Sequence, residues 1–360
     1  MPCGTRDRPS MPAAAAELTA SLPRARVIDA GKVRNGMSTL SEAEAHSAGD
    51  LAANGDLAVV RTLSGRREPV ARIVSSRVRL RVRLVELWRA RELFVFLVRK
   101  DLKVRYKASF LGILWSLLNP AVMLLVYDVV FTKFLKSPIP DFALYLFSGM
   151  IVWNFFQASL QGSSSVIVAN AAIVKKVSFP REMLALAQVG TATMFFFFQA
   201  IVLVLFLGGF QLAPVWHLLP LLGFGLVDLL IFSAALAVFL SAVTVYLRDV
   251  EHLIAVLLLA WQWGTPMIYS FNFVNAGDHR WIADFFLADP LVPIMLTFQR
   301  VLYGLRTYPS AQGLHSYAAA NYPLGFYLEM LTWVLAAGLV LFVVAMLIFG
   351  RVEGNFAEEL

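Results

Sequence analysis

From about position 111 the chain alternates long apolar runs with short polar breaks, and six runs are long enough to cross a bilayer. About 20 residues rising 1.5 Å each cover a hydrocarbon core of roughly 30 Å. The runs are Leu111–Phe131, Phe142–Ser163, Leu184–Leu207, Leu218–Leu247, Leu253–Phe271 and Phe326–Phe349. The pattern predicts an all-α integral membrane protein with six transmembrane helices. Its membrane domain covers residues 111–349, and a cytoplasmic C-terminal tail follows at 350–360.

Upstream the pattern changes. Residues 99–107 carry six charged side chains in nine positions. An isolated Lys or Arg at mid-bilayer costs about 2.5–3.5 kcal/mol, so this charge stops at a membrane surface. Between 84 and 107, Phe94, Val98, Leu102 and Tyr106 recur every four residues, with Arg99, Lys103 and Lys107 on the adjacent face. That period predicts an amphipathic interface helix lying in the headgroup plane; packing of its apolar face on another domain is the alternative. Residues 1–70 show no sustained hydrophobic period and are expected to form a disordered cytoplasmic tail. Between the fifth and sixth spans, WIADFFLADPLVPIMLTFQRVLYG holds two apolar pieces, each too short to cross, separated by Asp289 and Pro290. Proline suits the first turn of a helix, so two short re-entrant outer helices are expected, with a surface loop as the alternative.

Loop charge supplies the orientation. Lys175, Lys176 and Arg181 lie between spans two and three, Arg248 between four and five, and Arg351 after six. With the basic N-terminal region, they are expected to face the cytoplasm, which places both termini inside. A chain 59% hydrophobic and 15% charged is far from ordinary soluble domains. The net charge of +7 raises nucleic acid as a partner, but 21 of the 31 Lys and Arg fall within residues 1–110. Membrane topology and anionic lipid account for so local a basicity better than nucleic acid does. Cys3 is the lone cysteine, which excludes an intrachain disulfide and a thiolate metal cluster within one chain. The first residues lack the layout of a secretory signal, so no export of the N-terminus is expected.

The chemistry is mostly notable for what is missing. Neither a phosphate-binding G-x-x-x-x-G-K-[ST] loop nor a dinucleotide-binding glycine fingerprint occurs, so ATP-driven work requires a partner. The five histidines have no ligand spacing, so no metal is expected. Asp128, Asp228 and Glu329 are the acids inside the spans; each sits toward the outer side, which favours wetted or hydrogen-bonded acids over the relay of a proton-coupled carrier. Aromatic residues within and at the ends of spans, Tyr127, Trp153, Phe156, Trp263 and Tyr269, offer faces on which sugar rings stack and slide. Interfacial aromatic belts are the competing explanation. Residues 170–187, NAAIVKKVSFPREMLALA, form a short amphipathic stretch that turns at Phe179-Pro180. It is suited to receive force from a soluble motor, or is a plain basic loop.

The ordered series RELFVFLVRKDLKVRYKASFLGILWSLLNP, KKVSFPREML, YLRDVEHL, WGTPMIYS, DPLVPIMLTFQRVLYG and GRVEGNFAEEL runs through residues 88–360. In this order and spacing it resembles the permease subunits of ABC-2 type polysaccharide and polyol-phosphate exporters, the O-antigen, teichoic-acid and galactan group. The resemblance implies export of a lipid-linked polysaccharide across the bacterial inner membrane through a channel formed by two copies. Two separate ABC ATPase subunits would carry ATP and Mg, leaving this chain without a cofactor and without enzymatic activity of its own. It further implies a gate or interface helix around Leu87–Lys107. A coupling helix would present Ile173, Lys175, Lys176, Phe179, Pro180 and Arg181, and an outer gate helix Pro290–Gly304 would hold Arg300 near the exit. The diphosphate end of the substrate is expected near Arg99, Lys100, Lys103, Arg105 and Lys107, whose cationic groups pair with phosphate. An ABC-2 exporter of drugs or small lipids is the nearest alternative.

Overall fold

The computed structural model describes residues 80–107, 114–209, 211–272, 280–309 and 315–360. The expected N-terminal tail, residues 1–70, and the start of the first expected span lie outside the described residues. The chain opens with α1 (Leu80–Arg89) and α2 (Arg91–Tyr106). The single helix expected over 84–107 is therefore divided at Ala90, although hydrogen bonds from Ala90 N to Glu86 O (3.0 Å) and from Phe94 N to Ala90 O (3.1 Å) carry the backbone pattern through the joint.

Then come α3 (Leu114–Asp128), continued by a π-helical turn at Val129–Phe134, α4 (Phe142–Ala169), α5 (Ala171–Val174), α6 (Glu182–Gly209) and α7 (Leu219–Tyr246). They are followed by α8 (Val250–Gly264), α9 (Arg280–Ala288), α10 (Leu291–Leu302), a two-stranded hairpin β1 (Thr307–Pro309) and β2 (His315–Tyr317), α11 (Leu324–Val352) and α12 (Phe356–Glu359). The antiparallel hairpin pairs Tyr308 with Ser316 and was not expected from the residue pattern.

Among the described residues, five helical segments have the length and apolarity to cross a membrane: Leu117–Phe134, Phe142–Ala169, Glu182–Gly209, Trp216–Tyr246 and Leu324–Asn355. Among the same residues a sixth crossing is reached if α9 and α10, bent by 92° at their break, count as one span. The expected fifth span, Leu253–Phe271, is shorter than anticipated, because α8 ends at Gly264 after 15 residues. The cause lies in Thr265-Pro266. A proline disfavours helical geometry at the residue before it, and Thr265 is extended (φ −97°, ψ 137°).

The core is aromatic. Phe156 stacks on Phe232 at 5.9 Å and meets Trp261 edge-on at 5.2 Å, while Phe196 bridges Phe155 and Phe298 at 5.9 and 6.0 Å. Every residue of α10 from Leu291 to Gln299 is buried, so this short helix is enclosed by protein on all sides. Asp289 occupies the break before it. One carboxylate oxygen accepts Leu291 N at 3.0 Å, capping the helix, and the other accepts Trp261 Nε1 at 2.6 Å, which ties the break to α8.

The stripe Phe94, Val98, Leu102 lies against α6 rather than on an open face. Gly190 makes the approach possible, since a Cβ there would sit 2.6 Å from Phe94 Cζ and 2.9 Å from Val98 Cγ2. Gly190→Leu is expected to push α2 off α6 at a cost of about 1–3 kcal/mol. Limited trypsin digestion reads the displacement as faster cleavage at the basic residues of α2, and an unchanged rate would refute the tight seat.

Candidate functional site

At one end of the bundle, α1, α2, the turn between α4 and α6, and the C-terminal residues converge on a second apolar cluster that includes Leu97, Val98, Val174, Leu184, Phe349 and Phe356. Within the turn, α5 is anchored by buried Val174, while Ile173 (43% exposed) and Val177 (54%) project with exposed Lys175 and Lys176. Phe179, Pro180 and Arg181 are half-buried at its base. The result is a protruding tip, apolar and basic, whose backbone is fixed by its root. Asn170 starts it: Nδ2 donates to Val166 O at 2.8 Å, and Oδ1 accepts from Lys100 Nζ at 3.2 Å. On the other side of α2, Gln188 Nε2 of α6 donates to Asp101 Oδ2 at 2.6 Å. Apolar packing and polar clasps thus hold α2 between the tip and the membrane helices.

Of the five cations expected to meet a diphosphate, Arg99, Lys103, Arg105 and Lys107 are exposed. Arg105 also lies over the Phe195 ring at 4.9 Å. Lys100 is different, being engaged with Asn170 and with Asp101 at 3.9 Å.

A group of charged residues that sequence reasoning did not bring together stands beside the tip. The Arg83 guanidinium on α1 pairs with Glu182, the first residue of α6, through Nη1 and with Glu353, just after α11, through Nη2. Arg181 returns to the same residue: Nη1 donates to Glu353 O at 2.7 Å, and Nε lies 3.9 Å from Glu353 Oε1. Its guanidinium also faces the Phe356 ring at 5.8 Å. Since Arg181 and Glu182 are neighbours in the chain, the four residues close a ring. Partners separated by 99 and 270 positions leave no local pattern to read.

The aromatics divide. Trp153 (1% exposed) and Phe156 (0%) are enclosed by other side chains, so the expectation that they line a passage is corrected: their rings are core. Tyr127 and Tyr269 are half-buried and Trp263 is 55% exposed, with Tyr269 OH donating to Trp263 O at 3.2 Å. At the opposite end, Pro290 sits half-buried at the α9–α10 break and Arg300 half-buried in the last turn of α10. Nearby, Tyr303 OH donates to Pro140 O at 2.7 Å, and Arg306 pairs with Asp141 while covering the Tyr303 ring at 5.1 Å.

The acids also separate by environment. Glu329 is exposed, and Asp128 accepts a hydrogen bond from Thr132 Oγ1 at 3.1 Å. Asp228 is 1% exposed, and neither carboxyl oxygen has a hydrogen-bond partner among the described residues.

Comparison with known proteins joins these features. A family model described as "ABC-2 type transporter" matches residues 92–303. An O-antigen export system permease protein RfbA of Myxococcus xanthus is 34% identical over 242 residues, 67% of this chain and 91% of the relative. Two proteins of the same name from Klebsiella pneumoniae are 29% and 27% identical over 273 residues, each match covering 75% of this chain and 95% of the relative. With well over half of its length matched by the family model, on a multi-pass helical membrane fold, the chain belongs to the ABC-2 type transporter family.

Proposed function

We propose that this chain is the transmembrane subunit of an ABC transporter that exports a lipid-linked polysaccharide across the bacterial inner membrane, with ATP and Mg bound on a separate ATPase subunit. The observation that carries the reading is the 34% identity extending over 91% of an O-antigen export permease. In this reading both termini are cytoplasmic, two copies enclose the passage, and two ATPases dock beneath them. The tip formed by Ile173, Lys175, Lys176 and Val177, braced by Phe179, Pro180 and Arg181, is the coupling element, because an exposed apolar and basic knob suits a groove on a soluble motor. Helix α2 is the interface helix. Its outward Arg99, Lys103, Arg105 and Lys107 meet the substrate diphosphate, where charge-assisted hydrogen bonds hold the headgroup while the glycan threads. Lys100 supports that face from below by holding Asn170.

Tyr127, Trp263 and Tyr269 are the aromatics available to a passage between two copies, and their flat faces let sugars slide without a deep binding minimum. Helices α9 and α10 form the re-entrant pair of the outer leaflet, with Pro290 at its break and Arg300 toward the exit. Burial of α10 within protein is what makes such irregular backbone tolerable at membrane depth.

Depleting the chain in its host and analysing lipid-linked polymers in the cytoplasmic leaflet tests the function. A single polymer that accumulates inside while disappearing from the surface is expected; no change in any glycan, with accumulation of a drug or small lipid instead, overturns it. For the docking role, Lys175→Glu with Lys176→Glu should weaken co-purification of the ATPase by about tenfold or more, because like charges in a complementary interface cost several kcal/mol. Membrane insertion should be unaffected.

A further inference from the structure

The ring of Arg83, Glu182, Glu353 and Arg181 lies partly beyond the family match, which begins at residue 92 and ends at 303. It joins three segments that also meet at the apolar cluster around Val174, Leu184, Phe349 and Phe356. Arg83 belongs to α1, which leads through Ala90 into α2. Glu182 and Arg181 form the base of the tip, and Glu353 begins the C-terminal segment. Glu182 is 2% exposed at its side chain, and Arg83 and Glu353 are 16% and 18% exposed, so the pairs operate largely out of water. A planar guanidinium has two edges, and here each edge meets a carboxylate from a different segment.

The inward face of α1 carries half-buried Arg83 and Glu86 beside Leu87, which packs on the apolar cluster. Its outward face carries Val82, Val85 and Trp88, exposed by 50%, 50% and 72%. That reverses the usual arrangement of a surface helix packed on protein. Leu87 supplies the apolar contact that seats α1 on the bundle, and the ionic contacts of Arg83 add a polar anchor one turn earlier. The C-terminal side is anchored independently. Tyr246 OH donates to Val352 O at 2.9 Å, and Phe356 is fully buried edge-on to Phe349 at 5.4 Å.

We propose that Arg83 is a positioning residue for coupling: by clamping α1 to the base of the tip and to the anchored C-terminal turn, it makes α2 move with the tip when the ATPase moves it. This rests on the export reading above. A rigid joint at this point converts displacement of the tip into displacement of the cationic face Arg99–Lys107. Without the joint the tip still docks and still allows hydrolysis, but α1 no longer follows it and α2 follows only through its own contacts, the Lys100–Asn170 hydrogen bond and the seat on α6.

The test uses the complete transporter, this chain with its ATPase, in the native host and purified in nanodiscs. Arg83→Gln combined with Glu182→Gln removes both charges together, so no lone buried carboxylate is left to unfold the protein, and Glu353 keeps Arg181. ATP hydrolysis in nanodiscs and surface polysaccharide in cells are read side by side. The expected result is hydrolysis within about twofold of wild type with surface polymer reduced by about tenfold or more, and partial recovery of export with Arg83→Lys alone. Equal loss of hydrolysis and export, or loss of neither, overturns the positioning role. Failure of the export reading is separately visible, because in that case depletion of the wild-type chain leaves the surface polymer unaltered.

Discussion

Arg83→Ala is expected to lower the stability of the folded chain by about 3–5 kcal/mol, the usual result of removing one member of a buried ion pair. The magnitude comes from what is left behind rather than from the bond that is lost. Among the described residues Arg83 is the cation paired with Glu182, whose side chain is 2% exposed and cannot recover its hydration when the guanidinium goes. Glu353 suffers less, because Arg181 still holds its backbone oxygen at 2.7 Å. Thermal unfolding of the purified chain in nanodiscs, followed by tryptophan fluorescence, measures the effect as a lowered midpoint. Adding Glu182→Gln to the alanine variant is expected to return most of the loss. An unchanged midpoint for Arg83→Ala would show that the ring contributes nothing to folding.

Phe156→Ala is expected to cost about 3–5 kcal/mol as well, by a different mechanism. The ring is fully buried between Phe232 and Trp261, with Trp153 at 6.0 Å on its own helix. Truncation leaves a void between α4, α7 and α8 that helices of this length cannot collapse to fill. Inside a bilayer, lipid is as apolar as the ring, so lost dispersion contacts rather than exposure to water set the penalty. The prediction is a reduced yield of folded chain and a lowered unfolding midpoint, with export falling in proportion to the protein remaining. A variant that is fully abundant yet defective in export would restore Phe156 to a passage lining. Trp263→Ala, on an exposed ring, should leave the midpoint unchanged.

Much of the architecture was legible without coordinates. Five apolar runs became helices long enough to cross, because transfer of a helix into hydrocarbon depends on a sum over consecutive residues and so can be read locally. The stripe Phe94, Val98, Leu102 packs against α6, which is the alternative to the expected helix lying in the headgroup plane, and the broken pair around Asp289-Pro290 formed two short helices. The fifth run failed as a single helix because Pro266 stops it, a local signal that the apolar composition of Leu253–Phe271 concealed.

The residues of the candidate site were less legible. Charge along one segment singles out Lys175, Lys176 and the exposed cations Arg99, Lys103, Arg105 and Lys107 of α2, but not the exposed Val177 or the engagement of Lys100. It does not distinguish a ring that stacks in the core from one that faces a passage. Trp153 and Tyr127 carry the same chemistry, and only the neighbouring helices place one at 1% exposure and leave the other half-buried.

Helical class and the crossing length of five of the six apolar runs are properties of single segments in contact with lipid, and they follow from residue order alone. The enclosure of Trp153 and Phe156, the burial of Asp228, the engagement of Lys100 with Asn170 and the closing of the ring around Arg83 arise when segments as far as 270 positions apart pack together. Those pairings carry no periodic signature, because helix packing selects them by shape and charge in three dimensions rather than by distance along the chain.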